Sequence, residues 1–176
     1  MKLFSGCNIV GGMAILLSPF LTLAASDTLQ LVITGQLVSQ PCYLRAGDEL
    51  VQVDMSTITD HDLAGNMRSK SKAFQIHLER CNPIVAKNVK VTFSGTSAVG
   101  DSSLLALDSS SQAKGIAVGL EEKNGTPLPI NRPSQLVSIT TGNMTLEFGA
   151  YVKVLSANEL KPGYFKASAQ FKLDYE

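Results

Sequence analysis

The residues able to do acid–base, nucleophilic or metal chemistry are few and poorly spaced for it. His61 and Asp62 are adjacent in a polar stretch, and His77 falls on the polar parity of "AFQIHLERC". A catalytic base and the group that orients it are matched by geometry rather than adjacency, and no G-x-S-x-G motif accompanies this pair. Glu121 and Glu122 approach a turn and read as solvated carboxylates rather than an acid–base couple. Two distant thiols and two histidines are too few ligands for zinc. No catalytic residue, metal or cofactor is expected, and the chain reads as no enzyme.

The cysteines point to a different chemistry. Lys2, an apolar run over residues 9–23 and the small residues of "LTLAASDT" describe a secretory signal peptide, residues 1–26. Cleavage after Ala24 and after Ser26 both suit the small-residue rule. The run is too short to span a membrane as a helix, and Pro19 interrupts it. Cys7 leaves with this leader, so Cys42 and Cys81 form an even pair in an exported chain and are expected to be disulfide-bonded. Closing a loop of about 40 residues contributes roughly 4 kcal/mol in the chain-entropy model, less any strain.

The mature chain would hold about 150 residues, the size of one domain. Of 176 residues 44% are hydrophobic, which argues against disorder. Without Lys2 the 15 basic residues become 14 against 15 acidic, a net of about −1, so no nucleic-acid partner is expected.

The elements that must carry these residues are strands. "FKASAQFKLDYE" alternates throughout, with Phe165, Ala167, Ala169, Phe171, Leu173 and Tyr175 on one parity. Phe74, Ile76 and Leu78 share a face, as do Val89, Val91 and Phe93, then Ile116, Val118 and Leu120. Met144, Leu146, Phe148, Ala150, Val152 and Val154 make the longest series, and "LVQVDM" a shorter one. Asn124-Gly125 signals a hairpin. Residues 56–72 are polar and read as a loop. The expected fold is an all-β sandwich pinned by one disulfide. Just after the leader, "DTLQLVITGQLVSQPC" also reads as a strand, with Leu29, Leu31, Ile33, Gly35 and Leu37 on one parity.

In this order and spacing, "GQLVSQPCYL", "AFQIHLERC", "VKVTFSGT", "KGIAVGLEEKNGTPLPI" and "LEFGAYVKV" resemble the pilins of chaperone–usher fimbriae. These are subunits of type-1-like and P-like pili on Gram-negative bacteria. The penultimate Tyr175 and Gly163, fourteenth from the end, complete the resemblance. It implies an incomplete immunoglobulin-like β-sandwich that lacks its last strand and is completed in trans by donor-strand exchange. Residues 27–37 would be the donor-strand extension, with Leu29, Leu31, Ile33, Gly35 and Leu37 inserted into a neighbour; residues 38–176 would be the pilin domain. Gly163, Phe165, Phe171, Leu173 and Tyr175 would form the groove and the strand that a chaperone binds.

The partners so implied are a periplasmic pilus chaperone, an outer-membrane usher and neighbouring fimbrial subunits, with no small-molecule substrate. The protein would pass through the periplasm to a cell-surface fimbrium. The short extension before Cys42 and the ending resemble minor or adaptor subunits more than Ala/Gly/Thr-rich rod subunits. The competing reading is a secreted immunoglobulin-like binding module, such as a sugar-binding adhesin, complete as a monomer. On periodicity alone, residues 27–37 would be that domain's own first strand. An exported enzyme ranks last.

Overall fold

A computed structural model describes residues 30–176. The expected signal peptide, Cys7 and Leu29 lie outside the described residues. Met1–Leu37 and Val38–Glu176 are separate units.

The unit Val38–Glu176 is built of strands whose alternation sorts one face into the interior. In β2 (Lys72–Cys81) Ile76 and Leu78 are buried, while Gln75 and Arg80 face out. In β3 (Asn88–Gly95) Val89, Val91 and Phe93 are buried between half-exposed neighbours. The thirteen residues of β9 (Gly142–Val154) bury Leu146, Phe148, Ala150, Val152 and Val154. β6 (Ile116–Glu122) turns Val118 and Leu120 to the same core. Short strands complete the set: β1 (Tyr43–Leu44), β4 (Ser97–Ala98), β5 (Asp101–Leu105), β7 (Pro127–Leu128) and β8 (Val137–Ser138). The last strand is β10 (Ala169–Tyr175).

The strands form two antiparallel sheets. One runs β1-β2-β9-β6-β5-β4, with β7 also on β6, and the other runs β10-β3-β8. Between them Phe74, Phe93 and Phe148 pack with ring centroids 5.1–5.9 Å apart. Phe93 meets both other rings edge-on, and such pairs add about 0.5–1.5 kcal/mol beyond their buried area. The Cys42–Cys81 disulfide is present and buried, tying the approach to β1 to the end of β2. The Asn124-Gly125 hairpin joins β6 to β7, with Gly125 at φ +81°.

Two local expectations change. Residues 56–72 are not all loop, because Asp60–Leu63 form a helical turn, α1. Thr59 and Asp62 make a reciprocal capping box, which satisfies backbone donors at the turn's start. Leu63 is buried against Val152 and Val154. Glu121 is not solvated: it is buried and paired with Arg68 at 2.7 Å. Arg68 lies 3.6 Å above the Tyr151 ring and so covers this part of the outer face.

Candidate functional site: an open strand edge

β10 hydrogen-bonds to β3 along one edge and, among the described residues, to no strand along the other. Across the ladder Phe171 opposes Phe93, Leu173 opposes Val91, and Tyr175 opposes Val89. The β3 residues are 5%, 1% and 0% exposed. Their partners, which pack on the same core, are only half-buried. β3 is covered on its second edge: Ser134 bonds both backbone groups of Val91, Asn131 donates to Phe93 O, and Val137 pairs with Val89. The missing neighbour of β10 accounts for the contrast.

A second stretch shares this state. Val51, Val53 and Met55 are half-buried against the main core, and Gln52 and Asp54 are exposed. The expected alternation is there, but the expected strand is not. No backbone N–H or C=O of residues 51–55 makes a backbone hydrogen bond among the described residues. Two extended segments therefore present apolar side chains and unpaired backbone together, which is the condition for strand addition.

The ladder of the last segment begins at Ala169, not at Phe165. Residues 164–166 bond to the loop before β6 instead: Tyr164 O accepts from Gln112 and Ala113, and Lys166 O accepts from Asp108. Phe165 is half-buried and packs beside both Leu63 and the main core. Gly163 is exposed, with φ +155°, and a Cβ there would sit 2.8 Å from the Gln112 side chain and 3.1 Å from Ala113 N. At its far end β10 is pinned by Glu176, which exchanges backbone bonds with Asn88 and pairs through its side chain with Lys90. The Tyr175 hydroxyl is buried with no partner among the described residues, and burial pushes its pKa up.

Residues 30–37 form no strand, which differs from the sequence expectation. An isolated strand has no ladder to hold it. Leu31 and Ile33 are 83% and 85% exposed, Leu37 is fully exposed, and Gly35 has open space around it.

The sequence reading missed Asp48, which is buried in the turn after β1. Its Oδ2 lies 2.6 Å from His77 N and 2.9 Å from His77 Nδ1, and its Oδ1 lies 3.1 Å from Arg45. Burial opposes the charge, but the His77 and Arg45 contacts outweigh it and hold the carboxyl below its ordinary value. Nothing in "RAGDE" distinguishes this acid from its neighbour Glu49. His61 is exposed on α1. Among the described residues no three His, Cys, Asp or Glu side chains gather as a metal site.

The pattern of the fimbrial protein family matches residues 31–176. A fimbrial-like protein of Escherichia coli K12, YfcP, is 30% identical over 97% of this chain and 94% of its own. The major MR/P fimbria protein of Proteus mirabilis is 31% identical over 81% of each chain. In structure, the P pilus rod subunit PapA matches with TM-score 0.67 at 21% identity, over 78% of this chain and all of its own. That likeness shows the all-β pilin fold, and the family is one of structural subunits rather than enzymes. The chain belongs to the fimbrial protein family.

Proposed function

We propose that the mature chain is a subunit of a surface fimbria and polymerises head-to-tail by donor-strand exchange. The observation that carries this reading is a pair of apolar segments with open backbone edges, β10 on the side away from β3 and residues 51–55. A strand laid between them would receive backbone bonds on both sides and would cover Phe171, Leu173 and Tyr175. Phe165 and Gly163 would bound the groove at the start of that segment.

The chain's own donor segment, holding Leu29, Leu31, Ile33, Gly35 and Leu37, enters the groove of a neighbouring subunit, and a neighbour's segment of the same alternating pattern enters this one. Burying four Leu/Ile side chains contributes on the order of 6–12 kcal/mol before ordering costs. Gly35 falls in the same register and permits close backbone approach there. Donor and acceptor surfaces differ, so the contact does not close and a fibre grows.

Before assembly the open edge is an aggregation hazard. A periplasmic chaperone covers it and delivers the subunit to an outer-membrane usher, and the fimbria stands on the surface of a Gram-negative cell. Within the fibre we assign the chain a minor or adaptor position that supports adhesion. The short extension before Cys42 and the sequence of residues 146–176 support this over a rod role.

The test is deletion of residues 27–34. The truncated subunit should still co-purify with the chaperone and yet fail to attach beneath a preceding subunit. Gly35→Leu should act in the same direction more mildly. Loss of the truncated protein's own fold would assign the segment to its own sandwich and overturn the reading.

A further inference from the structure

The second wall of the groove, residues 51–55, begins where the chain leaves the first sheet, and Asp48 stands at that exit. Tyr43 and Leu44 pair with Glu79 and Leu78, so the next rung matches Arg45 with His77. In an antiparallel ladder such a pair exchanges two bonds. Here only one is made, from Arg45 N to His77 O at 3.0 Å. The Arg45 carbonyl is instead turned back to accept from Asp48 N at 3.1 Å. Asp48 Oδ2 then takes the His77 N–H at 2.6 Å, in place of the absent carbonyl.

A carboxylate thus stands in for a backbone acceptor and ends the β1–β2 ladder at one residue. Beyond it the edge of β2 offers further backbone groups, since residues 72–76 pair only with β9. A chain that did not turn at Asp48 would find its next hydrogen bonds there. Residues 46–50 would continue along β2 opposite residues 76–72, and Val51, Val53 and Met55 would be drawn off the core.

We propose that Asp48 is a positioning residue that fixes the crossover from the first sheet to the donor-strand groove, and so sets the groove's second wall. This rests on the donor-strand reading above for its consequence, though not for the crossover itself. Asp48→Asn keeps an acceptor for His77 N–H and should preserve the crossover. Asp48→Ala removes the acceptor and leaves a backbone donor with no carbonyl to replace it.

The experiment is amide hydrogen exchange on the mature chain, with and without a synthetic peptide of residues 27–38, alongside the peptide's dissociation constant. In Asp48→Ala, the amides of Gly47 and Glu49 should gain protection without peptide, as they pair with Gln75 and Ala73 of β2. The peptide should bind at least about tenfold more weakly, a difference of about 1.4 kcal/mol. Amides in the middle of β2 and β9 should keep their protection. Asp48→Asn should bind within about threefold of the unaltered chain, a rescue that a general loss of stability would not give.

Unchanged exchange at Gly47 and Glu49 in Asp48→Ala would overturn the proposal. So would a uniform loss of protection across β2 and β9, or equal losses of affinity in both variants. If Asp48→Ala does not fold, Asp48→Asn decides alone: unaltered protection of the turn supports the acceptor role, and a lost crossover contradicts it. If the unaltered chain binds no peptide, the donor-strand reading fails, while exchange at Gly47 and Glu49 still decides the crossover.

Discussion

β9 and β10 carry the same kind of sequence and end in different states. Each places an apolar residue at every second position, and Leu146, Phe148 and Ala150 of β9 pack on the same core as Phe171, Leu173 and Tyr175 of β10. β9 lies between β2 and β6, and its inward side chains from Leu146 to Val154 are buried. β10 has β3 on one side only, and Phe171, Leu173 and Tyr175 stay half-exposed. Burial of a strand's face thus depends on its lateral neighbours as well as on the opposing sheet. A missing neighbour uncovers backbone and apolar surface together, and both are recovered by one incoming strand.

Side-chain truncation should separate the two strands. Leu146→Ala should cost about 2–5 kcal/mol, the usual range for a buried leucine, whether or not donor peptide is present. Leu173→Ala should cost clearly less in the free chain and approach that range only with peptide bound. Urea unfolding of both variants, with and without peptide, checks the pattern. Equal costs for Leu173 in the two states would mean that its site is already complete.

Gly163→Ala should come next, at about 1–3 kcal/mol, because the added methyl must displace the backbone at residues 112–113. Its effect should appear as faster exchange where Tyr164 O is held by Gln112 and Ala113. β9 amides should be unaffected.

The smallest effect lies in the covered sheet. Asp101 bonds to Ser103 and Lys153, and these contacts lower its pKa to about 2. A depressed folded pKa contributes stability above the unfolded value of 3.8 and loses it as pH falls toward about 2. Asp101→Asn should therefore flatten the acid limb of the unfolding curve in that window. Peptide binding compared above it should be unchanged, since Asp101 belongs to β5 rather than to the open edge.

The sequence made the faces of the strands legible, because a period of two assigns each side chain to one side. β2, β3, β6 and β9 appear where their alternation lies, and so does the Cys42–Cys81 bond. Pairing was not legible. Val51, Val53 and Met55 alternate as well as many true strands do, yet they have no ladder, and Phe165 and Ala167 precede theirs. Alternation reports which face meets the core and carries no information about who lies alongside. Burial of single polar residues was equally hidden. Asp48 and Glu121 look like ordinary surface acids until His77 and Arg68 are brought to them from distant parts of the chain. Leu63 gave a fainter signal, as an isolated apolar residue following a Thr-x-x-Asp capping pattern.

The most direct test of the open edge is thermal unfolding of the mature chain, alone and with a synthetic peptide of residues 27–38. A ligand that binds only the native state stabilises it by about 2.7 kcal/mol at a hundredfold excess over its Kd. For a domain of this size that corresponds to a rise of roughly 5–10 °C. The expected result is a poorly stable, aggregation-prone chain whose Tm rises by at least that amount and continues to climb with peptide concentration. A monomer with a high Tm that the peptide leaves unmoved would contradict it, and would mean that the sandwich is complete as it stands.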